Sequence, residues 1–212
     1  MRYAALLLDL DGTLVDSEPR HFAAHTRFLA SVGIHVTHDQ VVGNVGKGDG
    51  VFYRELMAST GVRGDPADWV ERKTELLMEM YRADGLALRP GVHGLLDRAA
   101  AQGIFAYVVT SAEHRLAHLS LAVTGLLPRL PARVCHEDVL KHKPAPDPYL
   151  LAATRLSVPA ERCLVIEDSP SGIRAGKAAG CTVIGYPGVL SPEVLLAAGA
   201  DRLVTHLDQV DL

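Results

Sequence analysis

The chain has 212 residues, 48% of them hydrophobic and 22% charged, with a formal net charge of −4. That length allows one large domain or two small ones with a real core. The slightly acidic balance gives no basic field for nucleic acid or an anionic membrane, and no apolar run approaches the roughly 18 residues of a bilayer span.

In chain order, the first apolar run covers residues 4–8 and ends at Asp9. It is too short for a signal core and lacks a small-residue cleavage site, so it predicts a buried strand. Residues 16–84 offer no strand pattern. Apolar residues there recur at helical spacing, as in Phe22, Thr26, Leu29 and Ala30, and again in Trp69, Lys73, Leu76, Leu77 and Met80. This predicts a helical module inserted after the first strand, with hinges near 15–16 and 85–90. After it, helices are predicted at 94–102, 113–123, 147–156 and 171–179. Strands are predicted at 105–109, 163–166 and 181–186, with weaker ones at 132–135 and 202–204. Short apolar runs bounded by Gly, Pro, Asp or Ser read as strands buried on both faces, and their alternation with helices predicts a doubly wound parallel α/β sheet. The expected division is a core of 1–15 and 85–212, with 16–84 as a separate helical unit.

Four predicted strand ends carry reactive groups. DLDGTLVDSEP (9–19) sets Asp9 and Asp11 at i and i+2 directly after a buried strand. Ligands bind at the carboxyl ends of such strands. Two close carboxylates call for a cation or a shared proton. Gly12 permits a sharp turn, and Thr13 is expected to bond back to the backbone. VIEDSPSG (165–172) ends a second buried strand in Glu167 and Asp168, donors suited to a hard cation such as Mg²⁺. Asp168 or Ser169 could instead cap the following helix. KHKPAPDPYL (141–150) puts Lys143 in a rigid, non-helical stretch, able to neutralise carboxylates. VVTSAE (108–113) ends a strand in Thr110 and Ser111, a potential anion site or an ordinary helix cap. Each has a plain structural explanation; their coincidence at four strand ends does not.

Taken in order, DLDGT, TS, KPAPD and VIEDSPSGIRAGKAAG resemble the haloacid dehalogenase superfamily. The helical insert is similar to that of the branch containing β-phosphoglucomutase and phosphoglycolate or sugar-phosphate phosphatases. The resemblance implies a Rossmann-like core with a mobile α-helical cap. It implies Asp9 as a nucleophile forming an aspartyl-phosphate and Asp11 as general acid/base, its carbonyl also meeting the metal. By the same resemblance Ser111, with Thr110 beside it, binds the transferring phosphoryl group and Lys143 steadies it. Glu167 and Asp168, with Asp9 and Asp11, are implied to hold Mg²⁺. The partner is expected to be a small phosphorylated metabolite, with no nucleic acid or membrane, and the chain a monomer.

In the cap, His21 and Lys47 are candidates for substrate binding, with Arg54 and Lys73 behind them. His21 matches a His of β-phosphoglucomutase-like proteins, but His25-Thr26 and Glu113-His114-Arg115 stand where those proteins carry other residues. A phosphatase is therefore expected first, a mutase second, and an inactive binding module third. The three cysteines, Cys135, Cys163 and Cys181, have no CxxC spacing. Neither a structural disulfide nor a zinc site is expected from them, and a reducing cytoplasm is the expected setting.

Overall fold

The computed structural model describes residues 2–43 and 48–212. In chain order the elements are β1 (Ala5–Leu8), β2 (Val15–Asp16), α1 (Glu18–Ser31), α2 (His38–Val42), α3 (Asp49–Thr60), α4 (Pro66–Asp84), β3 (Ala87–Leu88), α5 (Val92–Ala101) and β4 (Phe105–Val109). They continue with α6 (His114–Val123), β5 (Arg133–Val134), α7 (Asp147–Leu156), β6 (Cys163–Glu167), α8 (Pro170–Ala178), β7 (Thr182–Gly185), α9 (Pro192–Ala197) and β8 (Arg202–Leu203). The chain divides into two compact units, Met1–Asp16 with Leu86–Leu212, and Ser17–Gly85.

The first unit is built on a six-stranded sheet of order β5-β4-β1-β6-β7-β8, parallel throughout. β1 is central, and all four of its side chains are buried. Leu6 and Leu8 join one apolar layer with Val108 and Ile166; Ala5 and Leu7 join the opposite layer with Val109 and Val165. This two-faced burial is why β1 reads as an unbroken apolar run rather than an alternating one. Val15 and Asp16 pair antiparallel with Leu88 and Ala87, so both segments expected to be hinges form a small ribbon. The sequence shows this ribbon poorly because two residues per strand carry no periodicity. Helix α9 was also not anticipated; it is only six residues long and begins at Pro192.

The second unit packs around Phe28, Leu29, Ile34, Phe52, Tyr53 and Trp69. Phe28 and Tyr53 each meet the Trp69 ring edge-on, with centroids 5.5 and 5.6 Å away. The buried stripe of α1 is Ala24, His25, Phe28 and Leu29, rotated from the expected Phe22, Thr26, Leu29 and Ala30. On α4 the expected Trp69, Lys73, Leu77 and Met80 are buried.

A polar network runs through this core. Lys73, whose side chain is 2% exposed, places Nζ 2.5 Å from Asp49 Oδ2. Asp49 Oδ1 lies 3.4 Å from His25 Nε2, and His25 Nδ1 lies 2.9 Å from the Tyr53 hydroxyl. His21 Nδ1 sits 3.3 Å from Lys73 Nζ. A buried ammonium needs such a partner, because a lone charge away from water is strongly disfavoured.

Candidate active site

The carboxyl edge of the sheet carries the chemistry of the first unit. Asp9 follows β1, and its backbone N–H donates to the Ile166 carbonyl at 3.1 Å. The register Leu8↔Val108 and Leu8↔Ile166 therefore sets Asp9 level with the ends of β4 and β6. From the loop before α7, the Lys143 side chain reaches into this edge and is 4% exposed. Its ammonium donates to Asp9 Oδ1 at 2.6 Å, Glu167 Oε1 at 2.6 Å and the Val109 carbonyl at 2.9 Å. Three acceptors match the three protons of the group. Burial alone would lower the Lys143 pKa, but Asp9 and Glu167 outweigh it and hold it above the ordinary lysine value.

Glu167 is fully buried. Oε1 also accepts from the Tyr149 hydroxyl at 2.9 Å, and Oε2 accepts from Ser169 N at 3.0 Å and Ser169 Oγ at 2.9 Å. Four donors fill the carboxylate's lone-pair sites, so a ligand role for Glu167 would require one of them to leave. Asp168 differs: its Oδ1 accepts from Thr13 Oγ1 at 3.3 Å. Thr13 was expected to turn back on the backbone; it faces Asp168 instead. Ser169, not Asp168, is the N-cap of α8, accepting from Gly172 N at 3.0 Å. The cap is thereby separated from the carboxylate, leaving Asp168 to the Asp9 edge.

Gly12 allows this close approach. Its φ is +79°, and a Cβ there would overlap Asp168 Oδ2. Arg89 Nε donates to the Gly12 carbonyl at 2.9 Å, and Arg89 Nη1 lies 3.4 Å from Asp16 Oδ1. Asp11 is half-buried on the same turn and forms an isolated bridge with Val15.

At the end of β4, Thr110 is buried and Ser111 exposed. Thr110 Oγ1 accepts from Ala112 N at 3.0 Å, closing a short turn. Neither hydroxyl caps α6. Its N-cap is Glu113, and the His114 N–H donates to the Glu137 carboxylate at 3.0 Å. His21 lies in the other unit, in the network described above. Lys47 lies outside the described residues. Tyr149 and Arg89 were missed by sequence reasoning. Tyr149 lies inside the KPAPDPYL segment and Arg89 two residues before Gly91, but neither residue type announces a role at those positions.

One oxygen from each of Asp9, Glu167 and Asp168 lies within 4.8 Å of the others. Burial is the largest influence on Asp9 and raises its pKa well above the usual carboxylate range. Lys143 opposes that rise, while Glu167 and Asp11 add to it. Among the described residues, the carboxylates of Asp9, Asp11, Glu167 and Asp168 outnumber the Lys143 ammonium bonded to Asp9 and Glu167. Oxygen donors with excess negative charge fit a hard divalent cation, and Mg²⁺ suits that donor set.

An open parallel sheet with an aspartate-lysine-acid edge defines a class, and comparison with known proteins gives the family. Residues 6–186 match the haloacid dehalogenase-like hydrolase family, to which the chain belongs. It is 34% identical to Protein CbbY of Cereibacter sphaeroides over 94% of this chain and 90% of that protein. It is also 34% identical to hexitol phosphatase A of Escherichia coli, over 100% of this chain and 90% of that protein. A crystal structure of a CbbY variant from Rhodobacter sphaeroides, in complex with xylulose-(1,5)bisphosphate, matches with a TM-score of 0.86 at 28% identity. That match covers 98% of this chain and 96% of the other. Among the described residues, no helix is long and apolar enough to cross a membrane.

Proposed function

We propose that the chain is a Mg²⁺-dependent phosphatase that hydrolyses a small phosphate monoester, a sugar phosphate, through an aspartyl-phosphate on Asp9. The observation that carries this reading is the buried Lys143, bonded at once to Asp9 and Glu167 at 2.6 Å. A carboxylate so held has one orientation and reduced repulsion toward an incoming phosphoryl group. Two relatives support the substrate class: one is named a hexitol phosphatase, and a CbbY structure holds a sugar bisphosphate.

In this mechanism Asp9 attacks phosphorus in line with the leaving oxygen, and the bond from phosphorus to the sugar oxygen breaks. Asp11 gives its proton to the departing alkoxide. The Ser111 hydroxyl donates to the equatorial oxygens, over which charge is spread, and Lys143 steadies them with its charge, donating to one only by releasing an acceptor it now holds. Asp11 then takes a proton from water, which cleaves the aspartyl-phosphate and returns Asp9 as a carboxylate. Asp9, the Asp11 carbonyl and Asp168 would hold Mg²⁺, while Glu167 orients Lys143 and the Ser169 turn. Bound there, the cation supplies positive charge to the phosphoryl oxygens.

A mutase needs a group for a second phosphate, and the two basic residues that follow Ser111 in the sequence, His114 and Arg115, are already engaged. Arg115 Nε lies 2.8 Å from Glu113 Oε2, and His114 Nε2 lies 2.9 Å from Asp138 Oδ2. Both pairs favour hydrolysis. The test is phosphate release from sugar phosphates, hexitol phosphates, phosphoglycolate and xylulose 1,5-bisphosphate with Mg²⁺. In parallel, β-glucose 1-phosphate with a trace of its bisphosphate is assayed for glucose 6-phosphate. Release without isomerisation is expected. Isomerisation would assign a mutase, and silence in both assays would assign a binding role. The proposal extends to His21 and Lys47 as substrate-binding groups, whose replacement by Ala should raise KM more than it lowers kcat.

A further inference from the structure

We propose that His114, Cys135 and Asp138 form a second metal site, taking a thiophilic divalent cation of the Zn²⁺ class. The three side chains come from separate elements. His114 opens α6, Cys135 follows β5, and Asp138 ends the short 3₁₀ turn His136–Asp138. One nitrogen, one sulfur and one oxygen from these residues lie within 4.8 Å of one another. With metal–ligand bonds of about 2.0–2.3 Å, tetrahedral ligands sit roughly 3.3–3.8 Å apart, so separations would close by at most about 1.5 Å.

The donor set differs from that around Asp9. Oxygen alone suits Mg²⁺, whereas a thiolate with an imidazole and a carboxylate selects a borderline or soft ion. The proposal therefore stands independently of the phosphatase reading. The scaffold holding the donors is already ordered. Asp138 Oδ1 accepts from Arg155 Nη2 at 2.8 Å, and Oδ2 accepts from Cys135 N at 2.7 Å. Oδ2 also meets His114 Nε2 at 2.9 Å. Arg155 and the Cys135 amide thus fix the carboxylate, and the His114 contact marks the direction from which Oδ2 can be shared with a cation. Outer partners of this kind orient metal ligands.

The backbone around the site is tied down as well. The His114 N–H donates to Glu137, and the His136 N–H donates to the Ala112 carbonyl at 3.0 Å. Cys135 is 1% exposed, and its carbonyl accepts from the Asp138 N–H at 3.1 Å. Burial pushes its thiol up to about 12, so the metal-free protein carries a neutral thiol. Binding exchanges that proton, released to solvent, for the cation. The His114 side chain, 45% exposed, gives solvent access on one side, where water completes the coordination. Cysteine spacing gave no sign of this site, because its ligands meet only through the pairing of β4 with β5.

The test uses the full chain and Co²⁺. One equivalent should give a near-ultraviolet thiolate-to-cobalt charge-transfer band that Zn²⁺ abolishes and excess Mg²⁺ does not. The band is specific to sulfur, so binding at the all-oxygen edge does not contribute. Cys135→Ser should remove it, and His114→Gln, at a partly exposed position, should weaken Zn²⁺ binding roughly tenfold or more in competition with a chromophoric chelator. A band that survives in Cys135→Ser would overturn the proposal, as would its absence from the unmodified chain. Unchanged Zn²⁺ affinity in His114→Gln would also overturn it, whether or not Cys135→Ser folds.

Discussion

Replacing Tyr149 by Phe removes one oxygen from a fully buried site and leaves the ring in place. That oxygen donates to Glu167 Oε1 at 2.9 Å, while the ring lies under Lys143 Nζ, 5.1 Å from its centroid. The cation–π contact survives the change, and the loss is a hydrogen bond to a buried charged acceptor, worth about 1.5–3 kcal/mol. Burial, with Glu167 and Asp9, holds the Tyr149 pKa well above its ordinary value, so the hydroxyl remains a donor at working pH. For a chain of this size, each kcal/mol moves Tm by about 2–4 °C, giving a fall of roughly 3–12 °C. The single tryptophan, Trp69, belongs to the other unit, so its fluorescence is the wrong probe. Hydrogen exchange at the Leu8 and Ile166 amides reports on the strands beside Glu167. A double-mutant cycle with Glu167→Gln isolates the pair. A loss below about 0.5 kcal/mol, or no coupling in the cycle, would refute the claim that Tyr149 holds Glu167.

Lys143→Met should destabilise the first unit by about 3–5 kcal/mol and reduce phosphate release to background, since Asp9 and Glu167 lose their shared buried cation; denaturant titration and a phosphate assay check both. Gly12→Ala should be inactive with the sheet intact, because the new methyl overlaps Asp168 and φ is +79°; far-UV circular dichroism alongside turnover separates the two effects. Acidification should weaken the second unit. Burial lowers the His25 pKa, helped by Lys73 and His21 and opposed by Asp49. The neutral ring is favoured in the folded state, so its contribution is complete above the unfolded value of about 6.5 and is lost as pH falls below it. One proton limits the slope to about 1.4 kcal/mol per pH unit. Trp69 fluorescence in denaturant should show a lower midpoint at pH 5.5 than at 7.5, with the difference reduced in His25→Gln.

The sheet was legible because residues 5–8, 107–109 and 163–167 are buried on both faces, and two-faced burial leaves uninterrupted apolar runs. The ribbon of Val15–Asp16 with Ala87–Leu88 was not, since so short a pair is fixed by tertiary placement. The α1 stripe was misread by ranking Phe22 and Ala30 as inward. His25 is the inward residue, and a buried histidine is invisible to a hydrophobicity pattern when its partners, Asp49 and Tyr53, come from another helix. Asp9, Lys143, Glu167 and Asp168 were legible as a set because each ends a strand or stands just before a rigid Pro segment. Their division of labour was not. Only the fold separates Glu167, filled by four donors, from Asp168, which meets Thr13. The His114, Cys135 and Asp138 group had no linear signature at all.

The central claim is that Asp9 takes up phosphorus, and rapid quench tests it most directly. The chain is mixed with Mg²⁺ and p-nitrophenyl phosphate, stopped in acid within one turnover, and digested. The peptide containing Asp9 should carry a hydroxylamine-labile phosphate that is absent from Asp9→Asn, and that variant should not turn over. Full turnover by Asp9→Asn, or a labile phosphate on a different peptide, would contradict the account.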